Sequence, residues 1–193
     1  MIQIRDFGLA IHTFSSIQGD DTLFIQRCGI CMQYLAVLQI LILLMLANGS
    51  PVIAKWIFGN YCSWPLDGNI KFADGRPLFG ASKTVRGILV SIFITSACAP
   101  LLGLTLKIGL VVATTAIAGD LLSSFLKRRL GLQPSSKAVG LDQIPESLFP
   151  LLACRHALSL TALDIIAGTV IFFVGEVVLS RVLFRLHVRD RPY

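Results

Sequence analysis

Long apolar stretches alternate along the chain with short segments that hold nearly all of its charge. Residues 34–47 contain one polar side chain, Gln39, and apolar character resumes over residues 52–58. A run of that length exceeds a soluble core helix and approaches the roughly 20 residues that cross a bilayer. The pattern predicts five spans, near residues 32–54, 84–104, 106–126, 145–163 and 164–184, with ends set to within a few residues. The fourth is the least apolar, because Glu146, Arg155 and His156 fall inside it. The expected fold is all-α, a polytopic integral membrane protein of about five transmembrane helices. An odd number of spans puts the two ends of this region on opposite faces.

Composition strengthens that picture. Of 193 residues, 54% are hydrophobic and 15% charged, against about 45–50% and about 25% in soluble domains. Of the 17 Lys and Arg, thirteen fall on one face: Lys55, Lys71, Arg76, Lys83 and Arg86 in the first loop, Lys127, Arg128, Arg129 and Lys137 in the third, and Arg181, Arg185, Arg189 and Arg191 at the tail. Basic loops stay in the cytoplasm, so the expectation is a multi-pass cell-membrane protein whose polar loops and C-terminus are cytoplasmic. The net charge of +6 reads as topology and attraction to anionic lipid, with no nucleic-acid partner implied. Residues 1–31 read as a non-cytoplasmic N-terminal extension without a signal-peptide pattern, and residues 32–193 as the transmembrane domain. Cys28 and Cys31 form an isolated C-x-x-C that no second pair or His cluster completes as a metal site. Cys98 and Cys154 fall in apolar runs as small buried residues.

Topology does not explain why acids sit beside the bases. The first loop contains Asp67-Gly68 and then Asp74-Gly75-Arg76-Pro77-Leu78-Phe79-Gly80, followed by Ser82-Lys83-Thr84-Val85-Arg86-Gly87. Two Asp-Gly steps imply two tight turns. Ser82 is placed to cap the second span, whose N–H groups with Lys83 and Arg86 would form an anion site. The Gly75-x4-Gly80 spacing resembles a P-loop, but Lys83-Thr84 comes two residues late and no strand precedes it.

The third span ends with Asp120, Ser123, Ser124, Lys127 and Arg128, of which Asp120, Ser124 and Lys127 share a helical face. Asp120 lies about 10 Å inward from Lys127, at a depth where an Asp costs roughly 2.5–3.5 kcal/mol on insertion scales. A carboxylate kept at such a depth points to function. The following loop closes with Leu141-Asp142-Gln143-Ile144-Pro145-Glu146, where Asp142 could equally serve as a helix cap. Three acids and at least five bases facing one compartment suit divalent cations holding polyphosphate.

At these residues the chain resembles the CDP-archaeol synthases, integral-membrane cytidylyltransferases related to the CDP-diacylglycerol synthases. The resemblance rests on Ala47-Asn48-Gly49-Ser50-Pro51-Val52, on Asp74-Gly75-Arg76-Pro77-Leu78-Phe79-Gly80, and on Ser82-Lys83-Thr84-Val85-Arg86-Gly87. It continues through Gly119-Asp120, Ser124, Lys127-Arg128 and Leu141-Asp142-Gln143-x-Pro145-Glu146, and covers the chain from about residue 32 onward. Val85 stands where the family pattern has Trp, and Arg155-His156 interrupts a stretch expected to be apolar. The resemblance implies that CTP and a membrane lipid phosphate, archaeal ether-linked or phosphatidate, give a CDP-lipid and pyrophosphate, with the cytoplasmic loops forming the active site. It implies Mg²⁺ at Asp120 and Asp142, with Glu146 a further candidate ligand. Lys83, Arg86, Lys127 and Arg128 would be the catalytic phosphate-holding cations. Asn48, Asp74, Gly75, Arg76, Gly80, Ser82, Thr84 and Ser124 would bind or shape the site around the nucleotide and lipid.

The residues by themselves also allow a nucleotide-dependent lipid kinase, a transporter or a non-catalytic anchor. A transporter needs polar groups near the bilayer midplane, and Arg155, His156 and Glu176 are the candidates. Counting helix rise from the ends of the fourth and fifth spans puts Arg155 and Glu176 level, and an intramembrane ion pair between them is expected. The sequence does not define which lipid is used, or the oligomeric state.

Overall fold

The computed structural model describes residues 33–59, 61, 63–68, 70, 72, 74–80, 82–132 and 140–185, with side chains to 181. The extension over residues 1–31 with its Cys pair, Lys71, Lys137 and the tail beyond 185 lie outside these residues. Among the described residues five α-helices follow in order: α1 (Tyr34–Phe58), α2 (Val85–Cys98), α3 (Leu106–Arg129), α4 (Gln143–Ala153) and α5 (Ala162–Arg185). Among the described residues there is one isolated bridge, Pro65 with Thr84, and no strand. Among the described residues four segments are long and apolar enough to cross a membrane: Tyr34–Phe58, Val85–Leu102, Leu106–Arg129 and Ala162–Arg181.

The expected fourth span is different. Helix α4 has 11 residues, about 16 Å of rise, half of a bilayer core. Its end runs into hydrogen-bonded turns, Leu158 N–H to the Cys154 carbonyl and Leu160 N–H to that of Arg155, with Ser159 at φ +51°. The exposed Arg155 and His156 sit in this turn. Hydropathy averaged over residues 145–163 merges a short helix with the turns that carry the chain on to the start of α5.

The far ends of α1 and α5 are tied together. Thr161 and Asp164 bond reciprocally as in a capping box, and the fully buried Asp164 also accepts from the Gln33 N–H at 2.9 Å. Helices α1 and α5 therefore run in the same direction. Gln39, the one polar residue of the first apolar run, donates from Nε2 to the Leu102 carbonyl at 2.6 Å, satisfying the 3₁₀ turn Pro100–Leu102 that joins α2 to α3. The core is apolar around Ile40, Leu43, Leu44, Val112 and Leu151, all below 1% exposed.

Glycine sets the closest approaches. At Gly119 an added Cβ would lie 2.6 Å from the Pro145 carbonyl carbon and 2.8 Å from the Glu146 Cα, so α3 and α4 meet backbone to backbone beside Asp120. At α1, Pro51 has no N–H to give the Ala47 carbonyl. The buried Ser91 of α2 donates its hydroxyl there instead, at 2.8 Å.

Candidate active site

The polar loops build one cavity of about 710 Å³ at the basic end of the bundle. All five helices contribute to its wall. From α1 come Asn48, Val52 and Lys55, and from the start of α2 Ser82, Lys83, Thr84 and Arg86. Helix α3 brings Asp120 and Lys127, α4 brings Asp142, Gln143 and Glu146, and α5 brings Glu176.

Local structure aims these side chains. Residues 64–66 lie antiparallel to 83–85, with Leu66 N–H on the Lys83 carbonyl at 2.7 Å and Val85 N–H on that of Trp64 at 3.1 Å. This fixes Lys83 at the mouth of α2. Thr84, not Ser82, caps α2, its hydroxyl accepting from Gly87 N–H at 3.2 Å. The bridge holds Thr84 extended, the conformation a cap needs, whereas Ser82 sits a turn earlier in the loop. Both Asp-Gly turns form, with Gly68 at φ +52° and Gly75 at φ +74°.

Inside the cavity the charges are paired across elements. Lys83 Nζ donates to both carboxylate oxygens of Asp120, at 2.6 Å to Oδ1. Lys127 Nζ donates to Asp142 Oδ2 at 2.8 Å. Asp142 occupies the N-cap position of α4 but makes no side-chain cap bond; its carboxylate points to α3 instead. Its other oxygen, Oδ1, is buried with no hydrogen-bond partner. Glu146 is 6% exposed and borders the same cavity. Arg86 reaches the wall with both terminal nitrogens already on the Tyr61 and Gly59 carbonyls, where it closes the exit from α1.

Of the fifteen residues expected in the site, Asn48, Ser82, Lys83, Thr84, Arg86, Asp120, Lys127, Asp142 and Glu146 line the cavity. Asp74, Gly75, Arg76, Gly80, Ser124 and Arg128 do not. Asp74 and Arg76 instead clamp the first loop onto α3. Arg76 Nη1 donates to the Arg128 and Arg129 carbonyls, at 3.2 and 2.9 Å, capping the end of α3. Arg129 answers by pairing with Asp74 and donating to the Pro77 carbonyl at 2.9 Å, its guanidinium 4.7 Å from the Phe72 ring centre. Burial acts to raise the Asp74 carboxyl, but the Arg76 N–H and the Arg129 charge outweigh it and hold the group below its ordinary range. Gly80 N–H donates to the buried Asp67 at 3.0 Å. Arg128 Nη1 turns to the Leu132 carbonyl at 2.7 Å, and Ser124 is buried against neighbouring helices.

Glu176 was expected opposite Arg155. Among the described residues no such pair exists. Leu151 packs on Gly168, so Arg155 lies level with the start of α5, and Glu176 lies level with the start of α4, at the cavity. Lys55, Ser63, Ser91 and Gln143 are the other polar wall residues that motif reading missed. The helical spacing of Lys55 from Asn48, seven residues on, was the available signal.

A multi-span helical protein with an acid-and-base cavity at one membrane boundary defines an intramembrane enzyme of phosphate chemistry. The CarS-like CDP-archaeol synthase family matches residues 33–193, and the chain belongs to that family. It is similar to a CDP-archaeol synthase of Sulfurisphaera tokodaii, at 32% identity over 155 residues, 77% of this chain and 90% of that protein. A CDP-archaeol synthase of Pyrobaculum calidifontis is 32% identical over 156 residues, 76% of this chain and 90% of its own length. The solved structure of an intramembrane enzyme for archaeal membrane lipid biosynthesis matches with a TM-score of 0.63 at 28% identity, over 73% of this chain and 90% of that one. Family membership makes the chain a CTP-dependent cytidylyltransferase of membrane lipid synthesis.

Proposed function

We propose that the cavity transfers the cytidylyl group of CTP to an archaeal ether-lipid phosphate, and that its loops and the C-terminal end of α5 face the cytoplasm. The observation that carries the reading is the pairing of Lys83 with Asp120 and of Lys127 with Asp142 around one cavity. Each pair joins a phosphate-seeking cation to a metal-seeking anion, and a nucleotide polyphosphate with its divalent ion satisfies both sets at once. Orientation rests on the sequence pattern that assigns thirteen Lys and Arg to this face.

The wall fits Mg²⁺. Asp142 Oδ1 is a buried acceptor without a donor, and Asp120 lies on the same cavity wall. Among the described residues no three His, Cys, Asp or Glu converge to hold an ion by themselves. Mg²⁺ is commonly bound by one or two carboxylates plus substrate phosphates and water. Asp120 and Asp142 would hold it, with Glu146 adjacent, and bound there it would neutralise charge on the leaving pyrophosphate.

Lys83 and Lys127, released from their carboxylates, would bind the phosphates, and the Thr84-capped start of α2 would add N–H groups. An oxygen of the lipid phosphate attacks the α-phosphorus. A new P–O bond forms, the α–β bridging bond breaks, and pyrophosphate leaves with the electron pair. The attacking monoester is already ionised at neutral pH, so no general base is required. Positioning and charge neutralisation carry the rate. A kinase would need a base for its hydroxyl substrate.

Purified protein given CTP with an ether-lipid phosphate should place label from α-labelled CTP in the lipid and release pyrophosphate, and EDTA should stop it. Label transferred from the γ-position, orthophosphate release, or turnover indifferent to EDTA would overturn the reading. A phosphatidate arm in the same assay tests the choice of lipid.

A further inference from the structure

We infer that Lys55 of α1 holds the phosphate of the membrane-anchored acceptor, a residue role that rests on the cytidylyl-transfer reading. The argument begins with the cations of the cavity wall. Lys83 and Lys127 are paired with Asp120 and Asp142, and Arg86 is spent on two backbone carbonyls. Lys55 lines the same wall, is exposed, and has no hydrogen bond or ion pair among the described residues. Among the described residues it is the one cation on the wall with no hydrogen bond or ion pair.

Its position suits an acceptor that arrives through the bilayer. Asn48, Val52 and Lys55 recur at helical spacing and face the cavity together. Val52 borders the cavity while 65% exposed, and Ile53 and Trp56 beside it are 57% and 86% exposed. On a membrane-spanning helix such surface meets lipid, so the cavity wall at α1 grades into an acyl-chain surface. Trp56, Tyr61 and Trp64, all strongly exposed, form an aromatic set of the kind that marks the headgroup level. Lys55 directly precedes Trp56, three residues from the end of α1. A lipid phosphate rides at this level with its tails below, and the Lys55 ammonium can meet it as a compact point charge. The competing account is a snorkelling lysine that only anchors the helix.

The two sources of phosphate at this site, nucleotide and lipid, are separated by binding each alone. The chain has two Trp, one of them adjacent to Lys55 in α1, so a change in intrinsic fluorescence reports occupancy there. Titrating the purified protein with a water-soluble short-chain lipid phosphate should shift Trp emission. Lys55→Met should weaken that binding about 10- to 100-fold, the loss expected for one hydrogen bond to a charged group. Its KM for lipid phosphate should rise in parallel, CTP affinity should stay within about twofold, and Lys55→Arg should recover most of the loss. Unchanged lipid affinity and KM in a folded Lys55→Met, or a loss of CTP affinity instead, would overturn the assignment. Failure of the unaltered protein to form CDP-lipid defeats the underlying reaction and leaves the fluorescence titration to decide Lys55 on its own.

Discussion

Replacing Asp142 by Asn removes a charge from the Lys127 pair while keeping the shape of the side chain. At 2.8 Å and an effective dielectric near 20, the attraction is about 6 kcal/mol. Lys127 and Asp142 are 10% and 18% exposed, so most of that attraction is offset by the lost hydration of both groups. A net coupling of about 1.5–3 kcal/mol remains, the range of a charge-assisted hydrogen bond. Each of Asp142→Asn and Lys127→Met should lower thermal stability in detergent, at roughly 2–4 °C per kcal/mol for a chain of this size. The double variant should be more stable than the sum of the two losses predicts, by the coupling energy. Both single variants should lose cytidylyl transfer. The same pair makes a second, opposite prediction for ligand binding. Asp142→Asn frees Lys127, so CTP measured in EDTA should bind as well as before or better, while the gain on adding Mg²⁺ should disappear. Losses that simply add, or a Mg²⁺ effect on CTP affinity that survives Asp142→Asn, would refute the partner-exchange argument and return Asp142 to a structural role.

Gly119→Ala should destabilise the bundle by about 1–3 kcal/mol through overpacking, because the new methyl meets the Pro145 and Glu146 backbone; a fully active, equally stable variant would show that α4 can shift freely. Arg129→Lys should loosen the first loop without touching the cavity, since Lys cannot reproduce a fork that joins Asp74, the Pro77 carbonyl and two aromatic rings. Protease nicking over residues 65–80 would rise in that variant, with a raised KM for CTP, and unchanged nicking would sink the clamp. Because the Asp74 carboxyl is held low in the fold, the clamp is fully present above the ordinary Asp range near 3.9 and is lost as pH falls through the depressed value; nicking should be flat from pH 7 to about 4.5 and increase only below it.

Much of this was written in the sequence, in two different codes. Four spans were legible because hydrophobic length reports membrane depth directly, and α1, α2, α3 and α5 lie close to where it puts them. The acids and bases of the cavity were legible because charge at such depth has few structural uses. Hydropathy carries no information on what a polar side chain will bond. Asp74 and Arg76 stand in the most specific motif of the chain, yet Arg76 reaches backbone carbonyls of α3 and Asp74 reaches Arg129. Backbone acceptors leave no mark in the pattern of residue types. Ser82 lost the capping position to Thr84 for a similar reason, since the bridge with Pro65 fixes where the helix can start.

Glu176 shows how far depth arithmetic can be carried. Helix rise is constant, so an antiparallel pair can be levelled from its turn, provided the turn is in the right place. A turn at Asp164 sets Glu176 opposite Arg155. In the structure α4 stops at Ala153 and α5 begins at Ala162, and the intervening residues add turns rather than continuous helical rise. Leu151 meets Gly168, which slides the α5 partner of every α4 residue toward the chain start by about a dozen positions, roughly three helical turns. Arg155 moves out to the loop, and Glu176 moves beside the start of α4, where Asp142, Glu146 and Asp120 already border the cavity. Four carboxylates then share one wall with Lys55, Lys83, Arg86 and Lys127. Formal charge on that wall balances, so a polyphosphate brings negative charge with no surplus cation to meet it, and a divalent cation entering with it would offset that charge. The residue that upset the register thus supports the cation-dependent reading of the site.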